Sequence, residues 1–195
     1  MNSDLVPWIL SCLRMIHFGG IILGIGAATL LDLIIFRFAV SKVILEEHIS
    51  VVVFSSHIIT IGLALLWFSG IGFFVYYWFF DPVKMLNPKL LAKIIIVGVL
   101  TFNAFLVHYF VLPQFTIQIG QRLLEGLSRF HRFLMILIGT ISIISWYAPL
   151  ILGIVPQFNK VIPAELILMY YAILIVFVNV ILQTVLVIKF YVFDR

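Results

Sequence analysis

Four histidines lie inside or at the ends of long apolar segments of this chain: His17, His57, His108 and His131. An imidazole within a bilayer is costly unless it ligates a metal or a haem iron, relays protons or hydrogen-bonds a neighbouring helix. Because the chain is otherwise so apolar, these side chains carry most of its functional information. The sequence shows no nucleophile–base pair and no phosphate-binding loop, so hydrolase and ATPase chemistry has no support.

Two further ionisable residues, Asp32 and Lys93, also fall within apolar segments. A carboxylate or an ammonium group inside a membrane is a functional-site candidate by default. Asp32 could orient a ligand imidazole, pass protons, or form an ion pair with Arg37 or Arg132. We therefore treat Asp32 and Lys93 as the candidate catalytic residues.

The composition predicts an integral membrane protein with the lipid bilayer as its main partner. Of the 195 residues, 64% are hydrophobic and only 10% are charged, and the mean hydropathy is +1.26. A soluble fold of this length cannot bury so much apolar surface, whereas a helix bundle in lipid need not. The net charge of +4 is spread over loop ends, which argues against nucleic acid as a partner. Cys12 is the only cysteine and excludes an internal disulfide.

The pattern of apolar segments predicts an all-α fold, a polytopic bundle of about five transmembrane helices in a single membrane domain, 1–195. Each span has room for the roughly 20 residues that cross a bilayer. Pro113 is expected to end the third span. The predicted spans are approximately 8–38, 50–80, 90–112, 130–155 and 162–190.

The distribution of basic residues predicts which side of the membrane each end of the bundle occupies. One end carries seven of them, and the other carries four, or five if Arg14 is included. Cytoplasmic loops carry the excess of Lys and Arg, so we predict the N-terminus outside and the C-terminus inside. A bacterial inner membrane is the expected location. The end with seven carries Arg37, Lys42, Arg122, Arg129, Arg132, Lys189 and Arg195, and the other carries Lys84, Lys89, Lys93 and Lys160.

The depths of the histidines suggest two ways to hold a haem. His57 lies roughly 10 Å into the second span, at a rise of 1.5 Å per residue, and His108 lies at a similar depth on the antiparallel third span. Two such imidazoles could ligate one iron from both sides, with His131 at the rim as an alternative partner. His17 belongs to the opposite half of the bundle, together with Lys93.

A face of small residues follows His17 along the first span. Gly20, Gly24 and either Ala27 or Ala28 share this face at helical spacing. A GxxxG pattern favours close contact between helices, but a small-residue face beside a histidine also suits a flat macrocycle. Both interpretations remain open from the sequence.

Short motifs at the start of the first and third spans resemble a known family. Arg14-Met15-Ile16-His17 opens the Gly-rich first span, and Leu91-Ala92-Lys93-Ile94-Ile95-Ile96-Val97 opens the third. Over roughly residues 10–112 the chain is similar to the HemJ-type protoporphyrinogen oxidases and to copper-resistance D membrane domains. The resemblance implies that His17 binds haem b and that Lys93 is functionally required. Asn103 stands about where the HemJ type has a third-helix histidine.

Three classes of function remain in competition. The first is a haem b protein with bis-His or single-His ligation that transfers electrons or, if an enzyme, acts as a haem-dependent membrane oxidoreductase; quinone or porphyrin would be its partner. The second is a copper, other metal or proton-coupled transporter. The third is a non-catalytic assembly subunit whose histidines only pack. Self-association is compatible with all three.

Overall fold

The computed structural model describes residues 5–40, 43–158 and 161–192, and these form a helical bundle. Short 3₁₀ turns connect the second helix to the third and follow the fifth, at Pro82–Leu86 and Pro156–Phe158. The helices are α1 (Leu5–Val40), α2 (Glu46–Phe80), α3 (Pro88–Leu106), α4 (Leu112–Ile117), α5 (Arg129–Ile154) and α6 (Ala164–Val192).

Five helical segments of the described chain are long and apolar enough to cross a membrane, which confirms the prediction of an all-helical fold with about five such segments. The segment Pro88–Ile117 counts as one span, because a π-helical turn at Val107–Val111 joins α3 to α4. Large apolar side chains such as Trp8, Phe79 and Phe102 are exposed on the outside of the bundle. Such a surface suits lipid rather than water.

The expectation that Pro113 ends the third span is wrong. The N–H group of Leu112 donates to the carbonyl of Val107, five residues back, and Pro113 then lies in the first turn of α4. A proline is tolerated in a first helical turn, where its missing N–H group would have no partner in any case. The π-helical turn thus lets the helix continue, and it also holds His108.

The glycine face of α1 is a helix-packing surface. A Cβ atom added to Gly62 on α2 would lie 2.6 Å from the backbone nitrogen of Gly24, and one added to Gly20 would lie 2.9 Å from the carbonyl oxygen of Gly62. A Cβ atom on Gly24 would collide with the indole of Trp146. The alternative in which this face receives a macrocycle is therefore wrong, because α2 and Trp146 already fill the space.

Helix α5 holds the bundle together by packing against α1, α3 and α6. Helix α2 packs mainly against α1 and meets α3 at a hydrogen bond from Trp67 Nε1 to Thr101 Oγ1, 2.9 Å long. The two ends of the bundle are named here after a residue in each. The Ile44 end contains the loop between α1 and α2 and the loop between α4 and α5. The Lys89 end contains both 3₁₀ turns.

The loop after α4 is docked onto the Ile44 end. The Gly120 N–H group donates to the Ile44 carbonyl at 2.9 Å, and the Ile44 N–H group donates to the Gln121 carbonyl at 3.0 Å. Gly120 has a φ of +82°, a conformation that glycine adopts without strain. Leu123 and Leu124 are fully buried beneath this loop, where they close one end of an internal cavity.

Candidate functional site

Polar residues gather at two places inside the bundle. His17, Ser69 and Lys93 lie toward the Lys89 end, and Asp32, Asn103 and His108 line a cavity in the half nearer the Ile44 end. The sequence placed His17 and Lys93 in the same half, and the structure agrees, because the two side chains interact electrostatically. It does not bring either of them to the cavity.

The protonation of His17 follows from its partner. His17 Nδ1 lies 2.9 Å from Ser69 Oγ, and the Ser69 hydroxyl in turn donates to the Leu65 carbonyl at 2.7 Å, with Leu66 O at 3.2 Å. A hydroxyl has one proton, so Ser69 Oγ accepts from the imidazole and Nδ1 carries the hydrogen. The lone pair of the neutral ring is then on Nε2, which makes no hydrogen bond to any described residue.

The packing around His17 holds its ring between α1 and α2. The ring lies edge-on to Phe73, with 5.8 Å between centroids, and it is half-buried. The Ser69 side chain is completely buried, so the hydrogen bond is shielded from solvent. A metal-ligating histidine typically donates its other ring N–H to such a partner, which fixes its tautomer and orientation.

Two lysines near the Lys89 end have different roles. Lys89 Nζ donates to the carbonyl of Val155, the C-terminal cap of α5, at 2.6 Å, and its side chain is buried. A cation at this position satisfies a free carbonyl and complements the helix dipole. Lys93 Nζ points toward α5 at Gly153 and has no hydrogen-bond partner in the described part of the chain. Its ammonium group is thus available to a ligand.

The cavity lies among α1, α2, α3, α5 and α6 and has a volume of about 120 Å³. Most of its wall is apolar, with Leu31, Leu63, Ile138 and Trp146 among the buried residues that form it. The polar residues in the wall are few. They are Asp32, Ser56, Thr60, Asn103, His108, Thr140 and Ser142.

Three hydroxyl groups in the cavity wall are already used within their own helices. Ser56 Oγ donates to Val53 O at 2.8 Å, and Thr60 Oγ1 donates to Ser56 O at 2.9 Å. Thr140 Oγ1 donates to Ile136 O at 2.8 Å. These bonds satisfy the donors of the hydroxyl groups locally.

Asn103 and Asp32 have polar atoms without a partner. Asn103 is 2% exposed; its Nδ2 donates to the Ile138 carbonyl at 3.1 Å, but its Oδ1 has no hydrogen-bond partner. Asp32 makes no hydrogen bond or ion pair with any residue in the described ranges, which leaves the imidazole-orienting and proton-passing roles considered for it. An orphaned buried acceptor costs about 1–3 kcal/mol, which a ligand donor would recover.

The remaining histidines do not assemble around the cavity. His108 lines it, whereas His57 is exposed and is not part of the wall. His131 is exposed at the start of α5, where Ser128 caps the helix and its Oγ lies 2.8 Å from His131 Nδ1. No group of three or more metal-ligating side chains occurs within the described residues. The structure therefore does not place the predicted His57–His108 pair around one internal space.

Sequence reasoning missed the roles of Ser69 and Asn103. Ser69 is 52 residues from His17 along the chain, and nothing in the local sequence indicates that they meet. Asn103 interrupts a long apolar helix, and that alone was a usable signal for a buried polar site.

No family model, curated protein or solved structure matches the chain.

Proposed function

We propose that the chain is a haem b-binding integral membrane protein that transfers electrons, with His17 as the residue that would ligate the iron. The observation that carries this proposal is the hydrogen bond from His17 Nδ1 to Ser69 Oγ, which leaves the Nε2 lone pair available. A neutral imidazole with a fixed tautomer is the ligand that haem iron takes from histidine. The resemblance of residues 10–112 to HemJ-type proteins supports the same residue.

Lys93 provides the second part of the proposed site. Its ammonium group lies near His17 and has no anionic partner among the described residues. The carboxylates of haem b are suitable counter-ions for such a cation. Haem, when bound, supplies one-electron chemistry, while His17 and Lys93 bind and orient it. Because Gly20 and Gly24 are covered by other helices, their face cannot contribute to the haem pocket.

The bis-His alternatives involve the other three histidines. His57 and His131 are exposed, so His57 paired with His108 or with His131 would hold a haem at the outer surface of the bundle rather than within the cavity. Such a site would be completed by lipid or by a second copy of the chain. Spectra of single histidine variants separate this arrangement from ligation by His17.

The proposed orientation puts the Ile44 end in the cytoplasm and the N-terminus outside, in a bacterial inner membrane. The support is the excess of basic residues at the Ile44 end. Labelling of Gln121→Cys and Lys84→Cys variants with an impermeant maleimide in intact cells tests it, in a Cys12→Ser background. The proposal requires labelling at position 84 and protection at position 121, and the reverse pattern would contradict it.

One observation favours a second candidate, a proton-coupled transporter. Asp32 lines a cavity within the bundle and has no described ion-pair partner, as expected of a carboxylate that exchanges protons or binds a cation. This candidate predicts a colourless protein whose transport is lost in Asp32→Asn. A haem-containing protein with normal spectra in Asp32→Asn would favour the first proposal.

Haem content of purified histidine variants tests the proposed ligand. His17→Ala should lose most of the haem measured as the pyridine haemochrome, because the iron loses its protein ligand. His48→Ala is the matched control: His48 accepts a hydrogen bond from the Leu45 N–H group at the start of α2, at 3.1 Å, far along the chain from Ser69. Full haem content in His17→Ala with loss in His57→Ala or His108→Ala would contradict the proposal and favour bis-His ligation.

A further inference from the structure

Three acceptor groups in the cavity wall have no hydrogen-bond partner among the described residues. Asn103 Oδ1 and the Asp32 carboxylate are two of them. The third is on His108: its Nδ1 lies 3.0 Å from the Ala104 carbonyl, which can only accept, so Nδ1 carries the hydrogen and Nε2 of the neutral ring is an acceptor. Three hydroxyls of the wall and one N–H group of the Asn103 amide already donate to backbone carbonyls. A ligand that satisfies the three acceptors must therefore donate hydrogen bonds.

The lining of the cavity suits the face of an aromatic ring. Its volume is about 120 Å³, below the roughly 150 Å³ of an apolar protein cavity that binds benzene, so a substituted ring fills the cavity and extends into its mouth. Leu31, Leu63 and Trp146 offer apolar surface for the faces of a ring. Polar atoms at the ring's edge would then meet Asn103 and Asp32.

The mouth of the cavity opens to the surface of the bundle. Three residues of its wall are exposed: Phe36 on α1, Thr60 on α2 and His108 in the π-helical turn. All three lie within candidate membrane spans, so in a membrane the mouth faces lipid. The ligand then reaches the cavity from the bilayer and carries an apolar tail.

We propose that this cavity binds the headgroup of a membrane-soluble hydroquinone, a ring with two phenolic O–H donors. The unpartnered Asn103 Oδ1 and the Asp32 carboxylate in the wall of a largely apolar cavity carry the proposal. The oxidised quinone lacks O–H donors and leaves these acceptors unsatisfied, so the site selects the reduced form. The binding site is separate from His17 and does not depend on the haem proposal.

A comparison of three ligands tests the proposal in the wild-type chain. The probes are 2,3-dimethoxy-5-methyl-6-decyl-1,4-hydroquinone, its quinone and its dimethyl ether, each measured by equilibrium binding to detergent-purified protein without oxygen. The hydroquinone should bind about tenfold more tightly than the other two, because it alone donates to the buried acceptors. Equal affinities for the three ligands, or no binding of any, would overturn the proposal.

Two variants locate the site. Asn103→Leu should weaken hydroquinone binding about tenfold and leave the weak binding of the dimethyl ether unchanged. Asn179→Leu is the matched control, because Asn179 is also a buried asparagine in a membrane helix, but it does not line the cavity. An equal loss in both variants, or no loss in Asn103→Leu, would contradict the assignment. The absorption spectrum of each sample reports its haem content separately.

A decylammonium ion tests the competing ligand chemistry. If it binds more tightly than the hydroquinone and loses affinity in Asp32→Asn, the cavity is a cation site and the hydroquinone proposal is wrong. Weaker binding of the amine than of the hydroquinone supports the proposal, because Asn103 and His108 then contribute hydrogen bonds that a charge alone does not replace.

Discussion

His17 on α1 and Ser69 on α2 are joined by a hydrogen bond of 2.9 Å between Nδ1 and Oγ. The serine proton is directed to the carbonyl of Leu65 in its own helix, so the imidazole is the donor. This bond lies in the half of the bundle where α1 and α2 pack closest, beside the contact between Gly20 and Gly62. The glycine contact thus sets the distance at which the histidine and the serine meet.

Replacement of Ser69 tests how this partner affects the proposed haem ligand. Ser69→Ala leaves His17 in place but removes the acceptor for Nδ1–H, so haem affinity should fall by about 10- to 100-fold, as for other partners of metal-ligating histidines. Titration of the apoprotein with haemin measures the change. Ser55→Ala provides the control, since Ser55 is also buried on α2. Equal haem affinity in the wild type and in Ser69→Ala would show that the bond has no role in ligation.

The Gly62–Gly24 contact predicts a large loss of stability in Gly62→Ala. The new Cβ atom would lie 2.6 Å from a backbone nitrogen, and backbone atoms cannot move aside as a flexible side chain can. We expect the midpoint of thermal unfolding in detergent to fall by several degrees. In Gly70→Ala, on the same helix, a Cβ atom meets nothing within 4 Å. That variant should be neutral or slightly stabilised by the better helix propensity of alanine, and similar losses in the two variants would contradict the proposed packing.

Lys89 is expected to contribute to stability and not to ligand binding. Lys89→Met removes the charged hydrogen bond to the C-terminal carbonyl of α5, which is worth about 1.5–3 kcal/mol of unfolding free energy. Urea-induced unfolding in mixed micelles measures the loss, and haem content per folded protein should not change. Lys93→Met should lower the haem content per folded protein and leave the free energy of unfolding unchanged, because Lys93 has no hydrogen bond in the described structure to lose. A stability loss in Lys93→Met equal to that in Lys89→Met would contradict this division of roles.

The exposed pair Lys84–Asp81 predicts that the stability of the fold depends weakly on pH. Lys84 Nζ lies 2.9 Å from Asp81 Oδ2, and this hydrogen bond raises the pKa of Lys84 above its usual value of 10.5. The contribution of Lys84 to the stability of the fold is therefore fully present below pH 10.5. It is lost as the pH rises through the raised pKa. Since both side chains are partly exposed, the effect should be at most about 1 kcal/mol.

The measurement for this pair compares the melting temperatures of the wild type and Lys84→Met at about pH 8 and about pH 11.5. At the lower pH the wild type should melt at a slightly higher temperature than Lys84→Met. At the higher pH the difference between the two proteins should vanish. A difference that grows with pH would contradict the assigned pairing.

The length and apolar character of the segments were sufficient to predict five spans, because each helix must satisfy its own backbone in lipid. The GxxxG pattern was ambiguous, since the partner of Gly24 is Trp146, 122 residues further along the chain. The helix through Pro113 was missed because a π-helical turn has no reliable sequence signal. Depth alone could not pair His57 with His108, because it does not fix the direction in which each side chain faces.

The absorption spectrum of the purified chain, as isolated and after dithionite, tests the central claim most directly. The proposal predicts a Soret band that shifts on reduction, with α and β bands in the reduced form, and predicts that both are lost in His17→Ala. A wild-type protein that stays colourless after expression with a haem precursor would contradict haem binding and leave transport through the Asp32 cavity as the better account.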